Sequence, residues 1–254
     1  MDTRVIAVVS GKGGTGASLV AASLACAFAR QGKKTLAVDL DRASSLAFAL
    51  GLRDRALFDL SSFFEGKIGA DRLLVADDRL PGLYLAPSPE DRGFLREPLW
   101  RQKLKKLAAD GGFERVVVDL PDTVFACQEF PADLFLLVTT QDPASLYACE
   151  ELAGRLLAAN RAVRLIVNRF DLTDPASYKK DRTSVLGIID AIHVQLIGVV
   201  PENYALLRRG EEGTLSSSYL READAPFDNI AARINGGAVP LFEGAGGERL
   251  RKKL

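Results

Sequence analysis

Short apolar runs alternate along the chain with longer stretches of helical spacing. Val5–Ser10 is the first run; glycines follow it, and then Leu19–Arg30 places apolar residues at helical intervals. Thr35–Asp39, Leu83–Pro87, Val116–Asp119, Leu134–Thr139, Arg164–Asn168 and Gln195–Val200 are further apolar runs, and Ala144–Ala159 repeats the helical spacing. Runs that are apolar at consecutive positions predict strands buried on both faces. Strand and helix in alternation predict an α/β protein, a single doubly wound, mostly parallel sheet with helices on both faces. No internal repeat and no Pro/Gly/Ser linker divides the chain, so one domain is expected over residues 1–242, with a short basic tail at 243–254. Ligands of such sheets sit beyond the carboxyl ends of the strands.

Composition narrows the function classes. Of 254 residues, 48% are hydrophobic and 26% charged, ordinary globular usage that excludes a disordered chain. Lys and Arg total 33 and so do Asp and Glu, so no overall field draws in nucleic acid, and no nucleic-acid partner is expected. The first ten residues read as a strand and not as a targeting signal, and Leu19–Ala29, interrupted by Ser23, falls short of the roughly 20 residues a membrane span requires. Cys26, Cys127 and Cys149 are widely separated, which argues against a disulfide framework or a zinc site and for reduced thiols in a cytoplasmic protein. Cys26 and Cys149 lie on helical stretches and read as core. His193 is the only histidine and reads as structural, against a Ser–His or Cys–His hydrolase.

The strongest chemical signal follows the first strand: Gly11-Lys12-Gly13-Gly14-Thr15-Gly16-Ala17-Ser18. Between a strand and a helix, such a loop can turn successive backbone N–H groups toward a phosphate, with the helix N-terminus adding a positive dipole end. Ser18 stands where a hydroxyl would hold Mg²⁺.

These residues resemble the MinD/ParA family of deviant Walker ATPases. Lys12 matches the family's early signature lysine, whereas Ala17 stands where the usual phosphate-binding lysine would be. Val38-Asp39-Leu40-Asp41 resembles the aspartate motif after the second strand, Val117–Pro121 the Walker B and second switch, Val167-Asn168-Arg169 the adenine-contacting segment, and Leu196–Glu202 the last strand and its loop. Asp228–Arg233 with Val239-Pro240-Leu241 resembles the closing helix of the septum-site-determining MinD branch. The resemblance implies ATP or ADP with Mg²⁺ as ligands. It also implies a nucleotide-sandwich homodimer in which Lys12 reaches the partner's phosphates. Asp41 would orient water or support Mg²⁺, Asp119 would hold Mg²⁺ with Ser18, Asn168 and Arg169 would contact adenine, and Pro201-Glu202 would shape the base pocket.

Two departures bear on mechanism. Ala17 removes a cation that stabilises charge on the transferring phosphoryl group. Asp122-Thr123 stand where family members usually carry Ala-Gly, adding a carboxylate near the terminal phosphate. Together they predict an ATP-binding switch with weak or absent hydrolysis that places a cell-division or surface-assembly machine. A competent ATPase using Lys12 instead, including the pilus-assembly TadZ/CpaE type that tolerates a small residue for the lysine, is one alternative. A scaffold that binds no nucleotide is another. Cys127 follows the switch, where iron-protein relatives carry a cluster ligand, but no second cysteine lies around Pro87–Phe94, which argues against a cluster. The tail's Arg249, Arg251, Lys252 and Lys253, with only Leu250 and Leu254 as apolar partners, predict a solvated terminus; the alternative is weak peripheral contact with the inner face of the cell membrane. The effector protein is not readable from the sequence.

Overall fold

The computed structural model describes residues 3–41, 43–88, 100–121, 130–172 and 183–241. Its strands are β1 (Arg4–Val9), β2 (Thr35–Asp39), β3 (Val75–Ala76), β4 (Leu83–Ala86), β5 (Arg115–Asp119), β6 (Leu134–Thr139), β7 (Val163–Phe170) and β8 (Leu196–Pro201). They form one sheet in the order β3-β4-β2-β5-β1-β6-β7-β8. Every pair is parallel except β3 with β4. The expected doubly wound α/β sheet is present, and all seven apolar runs are strands. β3 is the addition. It is a two-residue edge with a half-buried Val75 and an exposed Ala76, the end of the short apolar stretch Leu73–Ala76, too few residues to show a strand period.

The helices are α1 (Ala17–Arg30), α2 (Ser45–Ala49), α3 (Leu60–Phe64), α4 (Ala70–Leu73), α5 (Trp100–Asp110), α6 (Pro143–Ala158), α7 (Val185–Ile192), α8 (Tyr204–Glu211) and α9 (Arg221–Ile234). β1 shows how they divide. Val5, Ala7 and Val9 point into one core with α3 to α7, while Ile6 and Val8 point into the other with α1, α2 and α9. α1 is built for close approach to the sheet: Ala21, Ala22, Ala25 and Ala27 are strong helix formers with small side chains, and all are fully buried. Arg30 in its last turn complements the helix dipole and pairs with Asp228 at 2.9 Å. α6 starts from an Asp142 cap, whose carboxylate accepts from the Ser145 N–H at 2.9 Å, with Pro143 in its first turn.

Cys26 and Cys149 lie one in each core, and burial pushes both thiols up to about 12, which leaves them inert at neutral pH. His193 ends α7 with φ 56° and donates its backbone N–H to the Ile189 carbonyl at 2.9 Å. Among the described residues no helix is long and apolar enough to cross a membrane. Asp122-Thr123, Cys127 and the tail from Glu243 to Leu254 lie outside the described residues.

Candidate functional site

β1 lies at the point where the sheet reverses direction of growth, with β5 and β2 on one side and β6 on the other. The glycine loop leaves its carboxyl end there, at the crevice such sheets leave for ligands. Gly14 and Gly16 take φ of 83° and 86°, the left-handed region in which a side chain is strained. Gly16 is required a second time, because a Cβ there would stand 2.5 Å from Asn168 Nδ2. α1 starts at Ala17, directly after that turn, so its unpaired N–H groups face the loop. Ala17 contributes a methyl group and no cation.

Behind the loop stands a pair of buried acids. Asp39 ends β2 and Asp119 ends β5, and the two are direct register partners. Asp39 accepts from the backbone N–H groups of Asp41 and Ala47, each at 3.0 Å, which ties α2 to the strand end. Ser18 hydrogen-bonds Asp119, but Asp119 Oδ2 is buried without a partner among the described residues. Burial pushes Asp39 up to about 6. Burial, with the neighbouring Asp39 carboxylate second, pushes Asp119 up to about 7. An orphaned buried carboxylate oxygen beside a second carboxylate fits a cation, which would supply the missing partner and hold both acids ionised. No group of three or more His, Cys, Asp or Glu side chains is gathered for a metal among the described residues. Ser18 and Asp119, with Asp41 nearby, could hold Mg²⁺ together with phosphate oxygens and water.

Two cavities flank the loop. One of about 800 Å³ is lined by the loop from Gly13 to Ser18 and by Asp41 and Asp119. The other, of about 420 Å³, is lined by Lys12, Thr15, Asp142, Arg169 and Glu202. Thr15 lines both, and its hydroxyl is buried without a partner among the described residues. Lys12 Nζ donates to Asp142 Oδ1 at 3.2 Å, and Arg169, held at φ 53°, pairs with Glu202 at 3.2 Å. Asn168 is 3% exposed and donates from Nδ2 to the Thr15 carbonyl at 2.8 Å, so in this state its amide braces the loop. Pro201 ends β8, and the Glu202 N–H is fixed on the Phe170 carbonyl at 2.9 Å.

The structure thus gathers Gly13 through Ser18, Asp41 and Asp119 around one space, and Lys12, Arg169 and Glu202 around its neighbour; Gly11, Asn168 and Pro201 line neither. Asp39, Thr15 and Asp142 complete the site, and the sequence alone assigns Asp39 and Asp142 no role there. Asp39 had a signal, as the first acid of Asp39-Leu40-Asp41, but its contact with Asp119 depends on which strands pair.

The sequence model for the "CobQ/CobB/MinD/ParA nucleotide binding domain" matches residues 6–216. The septum site-determining protein MinD of Synechocystis is 29% identical over 94% of this chain and 92% of its own length. MinD of Thermotoga maritima is 27% identical over 94% and 90%. The fold superposes on the chain solved in the MinC:MinD cell division protein complex of Aquifex aeolicus with a TM-score of 0.82, at 27% identity, covering 95% of this chain and 99% of that one.

Proposed function

Because this chain belongs to the CobQ/CobB/MinD/ParA nucleotide-binding family, we propose that it is an ATP-binding switch. In this reading it dimerises on binding nucleotide, hydrolyses it slowly or not at all, and helps place a division or surface-assembly machine. The observation that carries the reading is the glycine loop. Two left-handed glycines and the start of α1 present backbone N–H groups at the sheet's switch point, ahead of the buried Asp119 carboxylate, whose Oδ2 has no partner among the described residues. A cradle made of main chain keeps its dipoles when a side chain is lost.

The missing lysine sets the limits. A hydrogen bond to a charged group contributes about 1.5–3 kcal/mol, so its loss at Ala17 costs about ten- to a hundredfold in affinity without abolishing it. Transfer of the terminal phosphoryl group loses more, since catalysis there is almost wholly charge stabilisation and positioning. When bound, Mg²⁺ would neutralise charge on the phosphate oxygens. Ser18 and Asp119 would hold it, Asp41 would support it or orient water, and Asn168, Arg169, Pro201 and Glu202 would surround the base. Lys12 would leave Asp142 and cross to the phosphates of the second protomer, which couples binding to association. The MinD relatives and the MinC:MinD complex place similar chains in cell division, and this supports a protein effector.

Calorimetry with ATP and ADP, with and without Mg²⁺, tests the switch, and sedimentation with and without Mg-ATP tests dimerisation. Binding with a nucleotide-dependent dimer is expected. No heat from any purine nucleotide leaves a scaffold that keeps only the fold, and rapid turnover overturns the weak-hydrolysis reading.

A further inference from the structure

The larger cavity has a charge problem that Ala17 makes acute. Asp41, Asp119 and Glu211 line it, and each repels a polyphosphate. The phosphate-loop lysine is absent, and Lys12 lines the neighbouring cavity, where it is engaged with Asp142. Among the described residues lining the larger cavity there is a single basic side chain, Arg53.

The fold anchors the backbone just before Arg53, whose exposed side chain has no hydrogen-bond or ion-pair partner among the described residues. Arg53 opens the short 3₁₀ turn Arg53–Arg55, directly after two fully buried anchors, Leu50 and Leu52. The Leu50 carbonyl accepts from Arg79 Nη2 and from Ser216 Oγ. Gly51, at φ 67°, packs so tightly on the Gly213 loop that a Cβ would lie 2.1 Å from the Gly213 carbonyl oxygen. Next door, Arg55 is tied to Asp78 at 2.8 Å, whereas the Arg53 side chain forms no ion pair or hydrogen bond with the described residues. Two further polar residues of the same cavity, Thr15 and Asp119, each carry a buried side-chain oxygen without a partner among the described residues.

We propose that Arg53 is the binding cation that replaces the lysine missing at position 17, its guanidinium bearing on the phosphate oxygens of a nucleotide in the larger cavity. The inference rests on the nucleotide-binding reading above and deepens it. Arginine suits this role because its planar fork offers paired donors to a phosphate. Reaching in from the turn after α2, it approaches from a different side than a lysine on α1 would. It therefore restores affinity without reproducing the geometry that serves phosphoryl transfer.

The test is calorimetric titration of the full chain with Mg-ATP and Mg-AMP, using Arg53→Ala, Arg53→Lys, Arg55→Ala, Ala17→Lys and the Arg53→Ala/Ala17→Lys double variant, with thermal melts to show that each folds. Arg53→Ala is expected to weaken Mg-ATP binding by about tenfold or more. Mg-AMP should shift less, Arg53→Lys should recover part of the loss, and Arg55→Ala, which makes the same charge change outside the cavity, should stay within about threefold. In the Ala17→Lys background, Arg53→Ala should cost much less, because the two cations serve one ligand. Equal losses for Arg53→Ala and Arg55→Ala, or full additivity with Ala17→Lys, overturn the assignment while leaving nucleotide binding intact. No heat from the unsubstituted chain overturns both readings.

Discussion

Asn168 and Thr15 are 153 positions apart in sequence, yet the Asn168 Nδ2 donates to the Thr15 carbonyl at 2.8 Å, and both residues are buried. This bond joins the end of β7 to the phosphate loop, so the loop's shape depends on a strand two places away in the sheet. Asn168→Ala leaves a buried carbonyl without its donor, at a cost of about 1–3 kcal/mol. Chemical denaturation should show a lower midpoint by that amount. Nucleotide affinity should fall as well, since the loop loses its brace. Asn168→Asp should be worse than Asn168→Ala, because it sets a carboxylate against the Thr15 carbonyl.

Ala17→Lys restores the absent cation at the first residue of α1. Mg-ATP should bind about ten- to a hundredfold more tightly, measured by calorimetry. Turnover should rise by a larger factor than affinity if the loop is otherwise competent for phosphoryl transfer, which a coupled phosphate-release assay reads directly. A tighter complex with no gain in turnover would place the remaining defect beyond the loop.

The Asp39–Asp119 pair makes the metal-free protein pH-sensitive, with a definite sign. Asp119 rises from 3.8 to about 7 in the fold, so its neutral form is the favoured one. The stability it contributes is present below about pH 4 and is lost as pH rises through about 7; Asp39, raised to about 6, acts in the same direction. At about 1.4 kcal/mol per unit, the Asp119 shift amounts to roughly 4 kcal/mol over that window. Thermal melts without metal should therefore show lower stability at pH 8 than at pH 5. Asp119→Asn should flatten that slope and stabilise the metal-free protein at pH 8, while weakening Mg-ATP binding. A melt that improves from pH 5 to pH 8 contradicts this account.

The sheet was legible because its strands are buried on both faces, and burial writes itself as consecutive apolar residues in Val5–Val9 or Leu134–Val138. The phosphate loop was legible because backbone cradles need glycine, and glycine is visible in sequence. What stayed hidden depends on distant pairing. Asp39 meets Asp119 only because β2 and β5 are neighbours, and Asn168 meets Thr15 only through the β1-β6-β7 order. Arg53 sits in a short turn among the short helices α2 to α4, where five or fewer residues give too little periodicity to read.

Lys12 is half exposed and bonded in its own protomer to Asp142, itself half exposed and also the cap of α6. An ion pair this exposed contributes at most about 1 kcal/mol, so it can be broken by a better anionic partner. Asp142→Asn removes the charge but keeps a good capping side chain, so the monomer should lose less than about 1 kcal/mol of stability. With Lys12 released beforehand, nucleotide-dependent association should tighten by up to about fivefold for each lysine freed, since 1 kcal/mol corresponds to roughly that factor. Lys12→Ala should act in the opposite direction and leave the chain monomeric at saturating Mg-ATP. Sedimentation velocity over a protein concentration series distinguishes the two. A dimer that forms equally well in all three chains would show that Lys12 does not cross to the second protomer.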